Sequence, residues 1–263
     1  LHAVAVQSTR ALATVTGIDA TVATQFDGVM AVITAKDIDT SIGMINDCGI
    51  EAGDNGNASP EQIFVPINGT VYSTGQTIAL VVAKTRAAAK KAAIAMMDPS
   101  TKGVTFAPAT KNDPIPILTL DDAIAQNSFY QGSHCALLER LQPNITSIDA
   151  AVAACAYSWK GTVRLGGQRH FYMETQRSVV TPTEAEGLHV RSSTQGVTVV
   201  AKMIAKVTGL QTHNVICEQT RAGGGFGGKL TRNLPIACAA AVAARSLDAP
   251  VSYVLDRVED QKT

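Results

Sequence analysis

The chain has 263 residues, of which 46% are hydrophobic and 17% are charged, and 22 basic residues balance 22 acidic ones. This composition is typical of a globular protein with room for one large domain or two smaller ones. With balanced charges, the chain has no excess of positive charge that would attract nucleic acid or an anionic membrane. No apolar run approaches the roughly 20 residues of a membrane-spanning helix. We therefore expect neither nucleic acid nor a membrane as a partner.

The cysteines and the chain ends bear on the cellular setting. Five cysteines are scattered without CxxC spacing, which argues against a zinc site, an iron–sulfur site and a disulfide framework within this chain. Such thiols suit a reducing compartment, so we predict a cytoplasmic location. The sequence begins at Leu1 in a strand-like pattern and stops at Thr263, just after an acidic turn. We interpret it as a piece of a longer protein.

The first 107 residues predict a compact α/β domain. Alternating residues over His2–Gln7 and Ala11–Ile18 predict a pair of strands, and Val29–Thr34 predicts another. Turn-forming residues over 46–60 predict a long surface loop. A clearer unit follows, in which a buried strand, a helix with Thr85 as its N-cap and a further strand give a βαβ-like order. These three elements are predicted at Gln76–Ala83, Arg86–Met97 and Val104–Phe106.

The rest of the chain predicts a connecting segment and a second α/β unit. Residues 108–165 begin with a linker-like composition, followed by short helices at Leu120–Ile124 and Ser147–Ala156 and a strand at Trp159–Leu165. Residues 166–263 resume the alternation of strands and helices. The strands are predicted at Ser178–Pro182, Leu188–Ser193, His213–Glu218 and Val251–Leu255, and the helices at Gln195–Val207, with Gly209 as C-cap, and Leu234–Leu247.

A glycine loop lies between a predicted strand and a predicted helix. It reads Ala-Gly-Gly-Gly-Phe-Gly-Gly-Lys over residues 222–229. Five glycines around one Phe permit positive φ angles and let backbone N–H groups approach an anion closely. The following helix could add its positive end. The loop therefore predicts a cradle for a phosphate or another charged cofactor group, with a flexible surface turn as the alternative.

Two common nucleotide motifs match the loop in part. The spacing from Gly223 to Lys229 fits a P-loop, but the next residue is Leu230, which has no oxygen to bind magnesium. The same glycines fit a dinucleotide fingerprint, which requires an acidic residue at the end of the second strand. Asp248 has a suitable separation but precedes its strand. The P-loop interpretation fails, and a nucleotide-binding module stays only a weak alternative.

Four sequence blocks together resemble the molybdenum hydroxylases, the xanthine dehydrogenase and aldehyde oxidase family. The blocks are GGQRHFYMET at residues 166–175, STQ at 193–195, GGGFGGK at 223–229 followed by Thr231-Arg232, and LDR at 255–257 with Glu259-Asp260. The resemblance implies an α/β (α+β) fold. Residues 1–107 would form the small hammerhead-type domain, residues 108–165 a linker with connecting helices, and residues 166–263 the N-terminal part of a truncated molybdopterin-binding domain.

The resemblance also implies an activity. Members of this family oxidise aldehydes or N-heterocycles with oxygen derived from water, using Mo-molybdopterin and, in the complete protein, 2Fe-2S clusters and FAD. It implies a small-molecule substrate and a homodimer. The family's base glutamate matches no position up to Thr263, so we assign no catalytic residue and expect this segment alone to be inactive. A non-catalytic scaffold that retains the fold is the alternative from another class.

The resemblance assigns the cofactor site to two segments. Gln195 matches the glutamine whose amide reaches the molybdenum ligands, because an amide donates a hydrogen bond without adding charge. Phe226 matches the residue whose backbone N–H faces a molybdenum oxygen. Gly225 and Gly227 would shape the cofactor cradle. From the residues alone, Gln195 could equally cap the helix that it opens.

Further positions receive a substrate role or structural roles. Xanthine dehydrogenases have a glutamate at the position of Leu230, where it binds the purine, whereas aldehyde oxidases have an apolar residue. Leu230 therefore indicates an aldehyde oxidase-like substrate pocket, with a xanthine dehydrogenase or oxidase of purine catabolism as the alternative. His170 and Glu174 could form an acid–base pair, but they lie in a block that is largely structural in the family, so we expect His170 to be a core histidine and Glu174 to be structural. We expect Arg232 to be a structural ion-pair partner rather than a substrate clamp.

Overall fold

The computed structural model describes residues 1–49, 60–107, 117–129 and 147–262, and within these ranges the chain has a mixed α/β fold. The strands are β1 (His2–Gln7), β2 (Ala13–Ile18), β3 (Val29–Ile33), β4 (Thr70–Val71), β5 (Thr77–Ala83), β6 (Val104–Phe106), β7 (Arg177–Pro182), β8 (Leu188–Ser192), β9 (Val215–Glu218) and β10 (Val251–Val254). The α-helices are α1 (Thr21–Thr24), α2 (Arg86–Met97), α3 (Leu120–Ala125), α4 (Ile148–Ala153), α5 (Val197–Thr208), α6 (Leu234–Leu247) and α7 (Arg257–Lys262). Short 3-10 helices span Ala35–Asp37, Thr40–Ile42, Glu184–Glu186 and Thr212–Asn214. The predicted fold class is confirmed.

One continuous sheet joins strands from both ends of the chain. Its order is β3-β5-β1-β10-β7-β8-β9, and β1 pairs antiparallel with β5 and parallel with β10. A second sheet has the order β4-β2-β6. Strands β8 and β9 are parallel and are connected through α5, so they form a βαβ unit. The turn that enters α5 carries Gln195.

The large sheet is covered on both faces. In β1, Ala3 and Ala5 belong to the cluster under α5 and α6, whereas Val4 and Val6 belong to the cluster under α2. This alternation follows from the two-residue period of a strand. The first eleven residues of α6 are all buried. Their small side chains suit a helix enclosed between α5 and the strands β7 and β10.

Several predicted elements are confirmed at or near residue level. Strand β1 and helices α2 and α6 have the predicted bounds. Thr85 caps α2 by accepting a hydrogen bond from the Ala88 backbone N–H at 3.2 Å. Gly209 ends α5 in the left-handed conformation, with φ of 67°. These features depend on local chemistry, which explains why the sequence indicated them.

Two predictions about strand pairing and one about the position of a strand were wrong. Strands β1 and β2 do not pair with each other, because both edges of β1 are taken by β5 and β10, whereas β2 lies between β4 and β6 in the small sheet. Strand β6 also lies in the small sheet, so β5, α2 and β6 do not form a βαβ unit. The predicted strand at Trp159–Leu165 is absent from the described residues. No neighbouring strand pairs with this segment, and its large apolar side chains are exposed.

Ion pairs connect the first 107 residues to the later part of the chain. Arg232 binds both carboxylate oxygens of Glu61, with Nη1 to Oε1 at 2.8 Å, so its predicted ion-pair role is confirmed. Lys90 Nζ lies 2.5 Å from the carboxylate of Asp256. The predicted loop over 46–60 falls largely outside the described residues, which include 46–49 and 60. Among the helices that the structure describes, none is long and apolar enough to cross a membrane.

Candidate functional site

The glycine loop follows β9 and has a backbone that few other sequences could adopt. Its φ angles are 66° at Gly223, 89° at Gly224, 49° at Phe226 and 91° at Gly227. Such angles cost an L-residue with a side chain roughly 1–2 kcal/mol, but cost glycine almost nothing. Two tight turns shape the loop, since the Gly228 N–H donates to Gly225 O at 2.7 Å and the Leu230 N–H donates to Gly227 O at 3.1 Å. The glycines therefore allow the loop to adopt one defined backbone conformation.

Gln195 joins the loop directly. Its side-chain Oε1 accepts hydrogen bonds from the backbone N–H groups of Gly227 at 3.0 Å and Lys229 at 3.2 Å. Its own N–H donates to Lys229 O at 2.8 Å. Helix α5 begins after the N-cap Gly196 and receives no side-chain cap. Gln195 thus binds the loop and does not cap the helix, contrary to the local alternative.

The remaining polar groups of this junction lie on Gln195 and Phe226, which are both exposed. No described residue accepts a hydrogen bond from Gln195 Nε2 or from the Phe226 backbone N–H. The Phe226 side chain is 76% exposed. A Cβ at Gly225 would lie 2.6 Å from Gln195 Oε1, so a larger residue there would displace the amide. The Gln195 Oε1 atom therefore holds the junction together, whereas its Nε2 group has no hydrogen-bond partner among the described residues.

Leu230 lies beside the same junction. A Cβ at Gly196 would lie 3.8 Å from Leu230 Cδ1, which places the leucine at the entrance of α5, next to Gln195. The Leu230 residue is 48% exposed. The structure thus brings together all five residues that the sequence assigned to the cofactor and the substrate. Their individual roles stay predictions.

Lys229 is a site residue whose role the sequence did not indicate. It is fully buried, and its Nζ donates to Glu174 O at 2.8 Å, to Ser193 Oγ at 2.8 Å and to Ala222 O. Burial lowers the pKa of this ammonium, and the nearby Arg177 acts in the same direction. A lysine after a run of glycines gives no sequence signal for burial. The motif match identified Lys229 by its residue type and gave no information about its contacts.

A buried hydrogen-bond network connects the glycine loop to residues of other segments. Gln176 Nε2 donates to Gly228 O at 2.9 Å and to Tyr172 Oη at 3.0 Å, and its backbone N–H donates to Asp260 at 3.1 Å. Burial and the Asp260 carboxylate raise the pKa of Tyr172, so the phenol stays protonated and donates to Asp260 at 3.3 Å. These contacts link the first, third and fourth sequence blocks. Sequence reasoning missed them, because the partners lie far apart in the chain.

His170 and Glu174 border the loop on its outer side. The prediction that His170 is a core histidine was wrong, because this residue is exposed. Its ring lies against the glycines, and a Cβ at Gly228 would lie 2.7 Å from its Cγ. The Glu174 carboxylate lies against Gly223, where a Cβ would be 2.1 Å from Oε2. With Gly228 and Gln176, His170 also lines a cavity of about 280 Å³.

The geometry fits a cofactor group better than a nucleotide phosphate. Helix α6 starts at Leu234, several residues after the loop, so the loop does not sit on a helix N-terminus as a P-loop or dinucleotide fingerprint does. Within the described residues, no group of three His, Cys, Asp or Glu side chains could hold a metal ion. The available groups are neutral donors, namely a backbone N–H and an amide. These donors can bind an anion or an oxygen of a cofactor without adding charge to the site.

Comparisons with known proteins identify the family. Residues 1–97 match the model described as "Aldehyde oxidase and xanthine dehydrogenase, a/b hammerhead domain", and residues 135–263 match the "Molybdopterin cofactor-binding domain". The chain is 36% identical to a xanthine dehydrogenase of Oryza sativa subsp. japonica, covering 100% of this chain and 17% of that protein. It is also 36% identical to aldehyde oxidase 2 of Mus musculus, covering 97% of this chain and 17% of that protein.

A solved structure supports the same fold. Quinoline 2-oxidoreductase from Pseudomonas putida 86 superposes with a TM-score of 0.73 at 21% identity, over 98% of this chain and 31% of that one. The two matched family models define the class of protein as molybdopterin-binding. The chain belongs to the aldehyde oxidase and xanthine dehydrogenase family of molybdenum hydroxylases. It spans about one sixth of the length of the curated relatives that it matches.

Proposed function

We propose that this chain supplies part of the Mo-molybdopterin site of an oxidoreductase that hydroxylates aldehydes or N-heterocycles with oxygen derived from water. The observation that carries this proposal is the contact between Gln195 Oε1 and the N–H groups of Gly227 and Lys229. It fixes the glutamine amide and the glycine loop as one unit. When bound, the molybdenum cofactor would supply the redox chemistry, and this chain would orient it.

Each assigned residue has a distinct task in this proposal. Gln195 would donate through Nε2, and Phe226 through its backbone N–H, so both would bind ligands of the metal without adding charge to the site. Gly225 and Gly227 would keep the loop surface free of side chains. Lining groups of this kind orient a cofactor but do not transfer protons, so the proposal assigns no catalytic residue to these 263 residues.

The complete enzyme would need parts that this chain does not contain. Because the chain covers 17% of its curated relatives, we propose that 2Fe-2S clusters, FAD and a base glutamate belong to other segments. Homodimeric assembly and a cytoplasmic location are part of the same proposal and derive from the family resemblance and the cysteine pattern. This segment alone is expected to be inactive.

The substrate class forms a finer part of the proposal. Leu230 exposes half of its apolar surface beside Gln195 and cannot accept a hydrogen bond from a purine N–H. Leaving that polar group buried and unpaired would cost about 1–3 kcal/mol. We therefore expect aldehydes or aromatic N-heterocycles to be preferred over xanthine. The test compares turnover of xanthine and of an aromatic aldehyde by the full-length protein, and equal rates would contradict the preference.

The cofactor assignment can be tested with Gly227→Val in the full-length protein. A β-branched side chain at φ of 91° strains the loop by roughly 1–2 kcal/mol or more and moves the N–H that binds Gln195. We expect molybdenum per purified protein to fall to background. Gly28→Val is the matched control, because Gly28 has a φ of 81° but precedes β3, at the opposite edge of the large sheet from β9 and the glycine loop. Normal molybdenum content in Gly227→Val would remove the loop from the cofactor site.

A further inference from the structure

The side chain of Lys229 connects three separate segments of the site. Nζ donates to Glu174 O in the segment before β7, to Ser193 Oγ in the turn before α5, and to Ala222 O at the start of the glycine loop. The ammonium also lies 4.4 Å from the centre of the Tyr172 ring. None of these three acceptors is a carboxylate. The buried charge is thus held by neutral oxygens and an aromatic face.

We propose that Lys229 is the positioning residue that closes the glycine loop and fixes the amide of Gln195. Through Nζ it binds Ala222 O, so the last residue of the loop holds the first. Through its backbone it binds Gln195 twice, since its N–H donates to Oε1 at 3.2 Å and its O accepts from the Gln195 N–H at 2.8 Å. Loop closure and glutamine orientation therefore depend on the same residue.

A buried ammonium at this point has a physical reason. Glycines lose more backbone freedom on ordering than other residues, so this loop needs strong contacts to hold one shape. Ser193 Oγ donates to Ala222 O at 2.7 Å, and Lys229 Nζ binds both of these oxygens. An apolar side chain of equal length would fill the space but would leave buried carbonyl oxygens short of a donor. We therefore expect Lys229→Met to keep the packing and lose the order of the loop.

The first measurement does not depend on the cofactor. Hydrogen–deuterium exchange is followed over residues 222–230 in molybdenum-free, full-length protein, for wild type and Lys229→Met. We expect amide exchange in this segment to become at least tenfold faster in the variant, with no change in β1 or β5. Lys202→Met is the matched control, because Lys202 is exposed on α5. Unchanged exchange in Lys229→Met would overturn the proposal.

A second control separates positioning from general stability. Val242→Ala leaves a cavity in the buried part of α6 and should lower the melting temperature without touching the loop. If Val242→Ala accelerates loop exchange as much as Lys229→Met does at an equal drop in melting temperature, Lys229 is merely structural and the proposal fails. Should Lys229→Met not fold, Ser193→Ala removes one of the three acceptors of Lys229 together with the bond from Ser193 Oγ to Ala222 O. It is expected to raise loop exchange by severalfold, and no rise would contradict the proposal.

The consequence for molybdenum rests on the proposed function and is measured separately. Lys229→Met should contain at least tenfold less molybdenum per protein than wild type, whereas Lys202→Met and Val242→Ala should retain it. Faster loop exchange with normal molybdenum content would leave the positioning role intact and contradict the cofactor assignment. Slow exchange with low molybdenum would contradict the positioning role alone.

Discussion

Two irregular loops of this chain reach unusual backbone angles by different means. The loop over 98–103, which follows α2, has φ of 58° at Lys102, and the glycine loop has φ of 49° at Phe226. In the first loop, Asp98 accepts from the Ser100 N–H at 2.8 Å, and Thr101 Oγ1 donates back to Ala95 O at 2.6 Å. All of these partners lie within a few residues of each other. Hydrogen bonds between residues close in sequence therefore fix the conformation of this loop.

The glycine loop depends on distant residues. Gln195 is 32 residues from Gly227, and Glu174 is 55 residues from Lys229. The shape of this loop therefore forms only when the sheet has brought these segments together. Changes in the first loop should therefore affect stability, whereas changes in the second should affect the site before they affect the fold.

The largest expected effect lies in the local loop. A Cβ at Gly103 would lie 2.6 Å from the backbone Cα of Met96 and 2.8 Å from its O. Backbone cannot move aside cheaply, so Gly103→Ala should lower the free energy of unfolding by about 1–3 kcal/mol. Denaturant unfolding of the full-length protein measures the change. Molybdenum per folded protein should be normal, and a deficit would contradict the division between the two loops.

The same contrast explains what the sequence could predict. Strand β1, helix α6 and the caps at Thr85 and Gly209 follow from local periodicity and capping chemistry, and the structure confirms them. The pairing of β1 with β5 and β10 could not be predicted, because it depends on which segments, far apart in the sequence, meet along the edges of β1. A strand pattern at Trp159–Leu165 was misleading for the same reason, since alternation does not supply a neighbour.

The candidate site was predictable in part. The motif blocks indicated Gln195 and the glycine loop, and the structure places them in contact. The blocks gave no sign that Lys229 is buried or that Gln176 and Asp260 support the loop. These roles depend on hydrogen bonds between segments far apart in sequence. His170, by contrast, was assigned to the core because it lies in a block that resembles a largely structural part of the family, and it is exposed.

A smaller effect on stability, but a larger one on the site, is expected from Gly225→Ala. Here the added Cβ would meet the end of a side chain, Gln195 Oε1, at 2.6 Å. A side chain can rotate away, so unfolding should change by less than about 1 kcal/mol. The displaced amide should weaken cofactor retention at least tenfold, equivalent to about 1.4 kcal/mol. Loss of molybdenum at unchanged melting temperature supports this, and a drop in both would contradict it.

The smallest expected effect is a gain in stability. Lys102 is exposed and has a φ of 58°, which costs a residue with a side chain roughly 1–2 kcal/mol. Lys102→Gly removes that strain but increases the freedom of the unfolded chain, which offsets about 0.4–1 kcal/mol. The net gain should be about 0.5 kcal/mol in the free energy of unfolding, with loop exchange over 222–230 unchanged. A loss of stability would mean that Lys102 makes a contact that outweighs its strain, and that the local loop is not held by Asp98 and Thr101 alone.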